Sequence, residues 1–160
     1  MLERCNNTLK YLGHGVIMPK LTLSTAERLA YLSLELRAVL EEHSPNLVSI
    51  EETFCGINPL TNIRLGLASG ALMAICGMAG IPVHQYASTL VKHMVAESGR
   101  ASKIIIQEKV MSILNIDKTQ YLDSTDALAV AIAYTILNPT KDELILNSVS
   151  LSSAQVNNLD

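Results

Sequence analysis

The sequence predicts an α/β fold whose later strands form a largely parallel sheet. Three observations carry that prediction. Short apolar or β-branched runs alternate with longer segments of helical periodicity, the signature of strand–helix–strand units. Of 160 residues, 49% are hydrophobic and 17% charged, enough apolar material for one domain with a buried core and too much for global disorder. The segment Ala127–Leu137 is apolar on every side, which suits a helix buried between layers and no surface helix.

Thr8–Met18 (TLKYLGHGVIM) suits a strand ended by Pro19. Ser24 and Glu27 match the S-x-x-E capping box, and Leu29, Leu32, Leu36, Val39 and Leu40 form one apolar stripe, so a helix runs from Ser24 to His43-Ser44-Pro45. Leu47–Phe54 (LVSIEETF) is read as a strand. Asn58-Pro59 places a capping residue before a proline at the first helical position, and a helix follows to about Gly80. Ile81–Tyr86 is a further strand, Ser88–Val95 and Ala101–Leu114 are helices, and Ser124–Leu137 is the last helix, ended by Asn138-Pro139. Residues 1–137 are expected to form one domain. Residues 138–160, rich in Ser, Asn and Asp, are expected to be a loose polar tail.

Net charge is −3, which argues against a protein that coats nucleic acid by bulk charge. The distribution is uneven: residues 61–120 carry six Lys or Arg against three Asp or Glu, a basic middle where a polyanion contact is expected. Cys5, Cys55 and Cys76 are far apart and in no metal-binding spacing, so they read as reduced thiols of a cytosolic protein. No secretory signal is read at the N-terminus. Leu65–Val83 carries no charge, but four glycines and Pro82 interrupt it, and it reads as a buried helix in preference to a membrane span.

Two places set carboxylates where chemistry is possible. In Leu47–Phe54, alternation sends Leu47, Ser49 and Glu51 to one face and Val48, Ile50 and Glu52 to the other. Both glutamates end the run, where α/β sheets form ligand crevices, although a solvated strand end would look the same. Asp123 and Asp126 share a face at the start of the apolar helix. They read either as an N-cap with a second acid near the helix dipole or as a pair that needs a divalent cation. No Gly-rich phosphate loop is present, the four His have no zinc-like spacing, and no base can be paired with Cys55.

With these residues in view, the sequence resembles the RuvC family of Holliday-junction resolvases from about Tyr11 to Leu137. The resemblance is carried by YLGHG, by Ile50-Glu51-Glu52-Thr53-Phe54 as I-E-x-x-F, by RLGLASGALMAICGMAGIPV, by LVKHMV followed by GRASK, and by D-x-x-D-A-L-A-x-A-I from Asp123 to Ile132. It implies a ribonuclease-H-like fold, a mixed sheet flanked by helices. The implied activity is Mg²⁺-dependent nicking of four-way DNA junctions by a homodimer in recombination and repair. The chemistry is two-metal phosphodiester hydrolysis, with Mn²⁺ as a possible substitute. By position, Glu51, Asp123 and Asp126 would hold metal; Phe54, Lys92 and Lys103 would contact DNA, with Arg100 beside them. The helix Asn58–Gly80 would form much of the dimer contact, which accounts for its hydropathy without a membrane. Cytoplasmic location and junction-migration proteins of the RuvA and RuvB families as partners follow from the same resemblance.

The family pattern opens with a strand ending in an I-D-P-G-like element, whose Asp is a fourth metal ligand, followed by a second strand; its strand order is 3-2-1-4-5. No Asp precedes Asp117 here. The expectation is therefore that the first two strands are absent, leaving Thr8–Met18 without a partner beside Leu47–Phe54. Three carboxylates against two divalent ions lead to the further expectation of at most one well-bound metal and weak or no cleavage. The alternative is a non-catalytic junction-binding or dimerisation module on the same fold.

Overall fold

The computed structural model describes residues 1–5, 8–52, 58–116, 122–139 and 143–147. Its elements are β1 (Leu2–Cys5), β2 (Thr8–Tyr11), α1 (Thr25–His43), β3 (Leu47–Glu51), α2 (Pro59–Met78), β4 (Val83–Tyr86), α3 (Ser88–Ala96), α4 (Lys103–Leu114), α5 (Leu122–Leu137) and β5 (Glu143–Asn147).

Local signals start α1 and α2 where the sequence places them, while α4 begins at Lys103 instead of Ala101 and α5 at Leu122 instead of Ser124. Ser24 Oγ accepts from the Glu27 N–H while the Glu27 carboxylate accepts from the Ser24 N–H at 2.8 Å, so the capping box closes in both directions. The Ser24 hydroxyl, which also donates to the Glu27 carboxylate at 2.7 Å, and then the Ser24 N–H hold the Glu27 carboxyl below the usual carboxylate range. The support from Glu27 is therefore present at neutral pH and fades as pH falls through its folded-state pKa. Asn58 Oδ1 accepts from the Leu60 and Thr61 N–H groups ahead of Pro59. Replacing the Ser24 cap by Ala is expected to lower stability by about 1 kcal/mol, read as a fall in thermal midpoint of about 2–4 °C; an unchanged midpoint would show that the cap is idle.

The sheet order is β2-β1-β5-β3-β4. β1 and β2 form an antiparallel hairpin, Leu2 opposite Tyr11 and Cys5 opposite Thr8. β3 runs parallel to β4, and β5 lies between β1 and β3, antiparallel to the first and parallel to the second. Leu2, Ile145 and Leu47 share one row of the sheet and are at most 2% exposed. That row packs into a cluster with α3, α4 and α5, in which Leu128–Tyr134 of α5 are buried on every side. Val48 and Ile50 point the other way, into a second cluster with Leu36 and Leu40 of α1 and Leu72 and Cys76 of α2. The alternation predicted for β3 thus separates the two layers, and its Glu51 parity belongs to the α5 side.

Arg4 joins the far end of α5 to the sheet. It is 4% exposed, and its guanidinium donates to the carbonyls of Thr135, at 3.0 Å, and Asn138. These carbonyls belong to the helix end, where intrahelical donors run out and the dipole is negative, so a buried cation is favourable there.

Three expectations need correction. Thr8 is preceded by a strand, Leu2–Cys5, so the view that two strands are missing ahead of Thr8 and that it has no partner does not hold. The strand at Thr8 ends at Tyr11 instead of Met18, because β2 pairs only with the four-residue β1 and the ladder runs out. The polar tail is not loose throughout: Glu143–Asn147 forms a strand inside the sheet. In the order 3-2-1-4-5 implied by the resemblance, β5 holds the middle place and β1 the place of the neighbouring strand.

Candidate active site

The candidate site is built where β3 ends and α5 begins. Glu51 is the last residue of β3, level with Tyr86 of β4, and the ladder is extended by the Glu52 N–H donating to the Tyr86 carbonyl at 2.9 Å. Both glutamates are exposed because their neighbouring strand ends at the same level. α5 starts at Leu122, so Asp123 lies inside its first turn, where the helix dipole favours an acid, instead of at the cap position. Asp126 follows one turn on. Ser124 and Thr125 between them are buried, and the Asp126 side chain is 25% exposed, so the helix enters the protein body at this point.

The structure brings two of the predicted residues into contact. Lys103, the first residue of α4, places Nζ 2.9 Å from Asp126 Oδ2. Ser102 fixes the start of that helix, its hydroxyl accepting from the Ile105 N–H at 3.3 Å. Arg100 is exposed in the turn between α3 and α4, and Lys92 is half-buried on α3. The turn folds tightly onto α3: a Cβ at Gly99 would stand 3.2 Å from the Thr89 carbonyl oxygen, so a side chain there would force the two apart. The basic side chains therefore lie on two short helices and the tight turn that joins them, and α5 packs against both helices.

Phe54 and Cys55 lie outside the described residues, as does the side chain of Asp123. Among the described residues, no three His, Cys, Asp or Glu side chains come together as a metal cage. The donors that β3 and α5 do supply are carboxylate oxygens, which suit a hard divalent cation better than a soft one.

A cavity of about 380 Å³ adjoins the start of α5, lined in part by Met1, His14, Leu36, His43, Ser124 and Leu128. The Met1 α-amino group donates to the Gly13 carbonyl at 2.7 Å, and burial lowers its pKa to about 6. Sequence spacing gives no reason to group His14 with His43; the fold sets both in one cavity beside the start of α5. No periodic signal in the sequence could have joined them.

Similarity to known proteins extends over most of the chain. The family profile described as crossover junction endodeoxyribonuclease RuvC matches residues 1–134. A crossover junction endodeoxyribonuclease RuvC of Paramagnetospirillum magneticum is 35% identical over 144 residues, covering 90% of this chain and 87% of the relative. One from Azorhizobium caulinodans is 38% identical over 134 residues, covering 84% and 79%. Among solved structures, Thermus thermophilus RuvC superposes with a TM-score of 0.74 at 25% identity, over 88% of this chain and 87% of that one. T. thermophilus RuvC in complex with a Holliday junction substrate reaches a TM-score of 0.78 at the same identity and coverage.

Proposed function

This chain belongs to the RuvC family of crossover junction endodeoxyribonucleases, and from that premise we propose that it nicks four-way DNA junctions by metal-assisted phosphodiester hydrolysis. The observation that carries the reading is Asp126, a quarter-exposed carboxylate near the start of a helix whose residues Leu128–Tyr134 are buried, with Glu51 ending the adjacent strand on the parity that faces that helix. A divalent metal is expected for the family. Here we assign it to Mg²⁺, with Mn²⁺ as substitute, held by Glu51, Asp123 and Asp126; the family's full complement is two ions, of which these three carboxylates would bind at most one well. When bound, the metal supplies Lewis-acid charge to the phosphate and acidifies water. The protein's part is to hold its carboxylates rigidly on β3 and α5, and to present Lys92, Arg100 and Lys103 to the DNA backbone, with Phe54 at the junction. Backbone contacts of that kind position the duplex without reading its sequence.

The working form is a homodimer. On α2, Leu60 is 63%, Ile63 59% and Met78 77% exposed, and a Cβ at Gly66, Gly70 or Gly77 would meet nothing within 4 Å in the single chain. This helix is apolar and long enough to cross a membrane by composition, with 22% of its apolar window buried. A second copy would cover that face and leave no need for lipid. An enzyme of this kind works on chromosomal DNA in the cytoplasm beside junction-migration proteins of the RuvA and RuvB families.

One observation favours the second reading, a junction-binding module with weak or no cleavage. The strand beside β3 ends at Asn147, level with Ser49, so the described part of that strand brings no Asp to the end of the sheet where Glu51 stands. The test is a labelled four-way junction incubated with the protein in Mg²⁺, in Ca²⁺ and in EDTA. Paired nicks in Mg²⁺, absent in EDTA and absent on linear duplex, are the expected result. Binding in Ca²⁺ without nicks in Mg²⁺ would leave only the second reading.

A further inference from the structure

Asp126 is the more buried member of its ion pair, its side chain 25% exposed against 58% for Lys103. A carboxylate at that depth has lost part of its hydration and needs a compensating positive charge. The ammonium 2.9 Å from Oδ2 supplies it. Its position is built rather than casual, because the Ser102 cap sets where α4 starts, and Ile106 and Val110 anchor α4 in the cluster that holds α5. The side chain itself is a flexible stem that can swing away without disturbing that core.

We infer that Lys103 is a stand-in cation: it neutralises Asp126 while no divalent ion is bound, and the incoming ion displaces it. An ammonium and a divalent cation cannot both sit at hydrogen-bonding distance from one carboxylate oxygen without strong mutual repulsion. The displaced ammonium then remains at the mouth of the site as a charge for a phosphodiester oxygen. Lys103 thereby couples metal loading to DNA contact, serving Asp126 first and the backbone afterwards. The inference rests on the reading of Asp126 as a metal ligand.

The test is Mn²⁺ binding to the whole chain without DNA, followed by calorimetry and by the electron paramagnetic resonance signal of free Mn²⁺. Lys103→Met is expected to bind Mn²⁺ about threefold or more tighter than wild type, the size of effect a partly exposed ion pair exerts. Lys103→Arg, which keeps the charge, is expected to stay near wild type. Thermal melts of both variants confirm folding. Unchanged or weaker Mn²⁺ binding by folded Lys103→Met would overturn the stand-in role. Asp126→Asn separates the two layers of the argument: if it binds Mn²⁺ as wild type does, the metal-ligand reading itself fails. Junction affinity gives an independent readout. The loss on Lys103→Met should be seen in Ca²⁺ and vanish in EDTA; an equal loss in both conditions would also overturn the inference.

Discussion

A chain ended after Pro139 is expected to lose its cooperative thermal transition, or to melt about 15 °C or more below the full-length protein. The shortened chain lacks β5, the middle strand of the sheet, which separates β1 from β3. Removing it opens the facing edges of both neighbours and empties the site of Ile145, which is fully buried. Each buried backbone hydrogen bond so lost costs about 1 kcal/mol, and loss of a buried isoleucine about 2–3 kcal/mol. Against a typical domain stability of about 5–15 kcal/mol, the total removes most of what holds the fold. Ile145→Asp in the full-length chain should act in the same direction, since it sets an unpaired charge in the core next to Leu2 and Leu47. Differential scanning calorimetry of both variants checks this. A shortened chain that melts within about 3 °C of the parent would show that β5 contributes nothing to the sheet.

Asp126→Asn is expected to reduce junction cleavage in Mg²⁺ by about a hundredfold or more, with junction affinity in Ca²⁺ within about threefold of wild type. The amide keeps the shape of the side chain and removes its negative charge, so it weakens a site that is worth several kcal/mol of transition-state stabilisation, each 1.36 kcal/mol being tenfold in rate. Single-turnover cleavage with enzyme in excess separates this from a binding defect. Cleavage within tenfold of wild type would remove Asp126 from the machinery, and Glu51→Gln under the same conditions would show whether the strand end alone carries the activity. Stability should change little, because the ion pair with Lys103 is partly exposed and such pairs contribute little net energy.

Much of this protein is written locally. Ser24 with Glu27 and Asn58 before Pro59 mark helix starts through hydrogen bonds made within a few residues, so a linear reading finds them. The same holds for the faces of β3 and for the buried character of Ala127–Leu137, since both follow from periodicity. Glu51 and Asp126 could be singled out as candidates because Glu51 ends a strand and Asp126 lies near the start of an apolar helix.

Other features were decided between segments far apart in the chain. Glu-Leu-Ile-Leu-Asn at 143–147 offers only three consecutive apolar residues inside a polar tail, too weak a pattern to announce a strand. It is a strand because β1 and β3 present complementary backbone edges on either side of it. Likewise Leu2–Cys5 is defined by its hairpin with β2 and by the Arg4 contacts to the end of α5. The Lys103–Asp126 pair exists because Ser102 and the packed face of α4 aim a lysine at a different helix. Periodicity and caps depend on neighbours along the chain and are set by the sequence itself. Strand order and ion pairing depend on partners brought together by burial, and only the tertiary structure settles them.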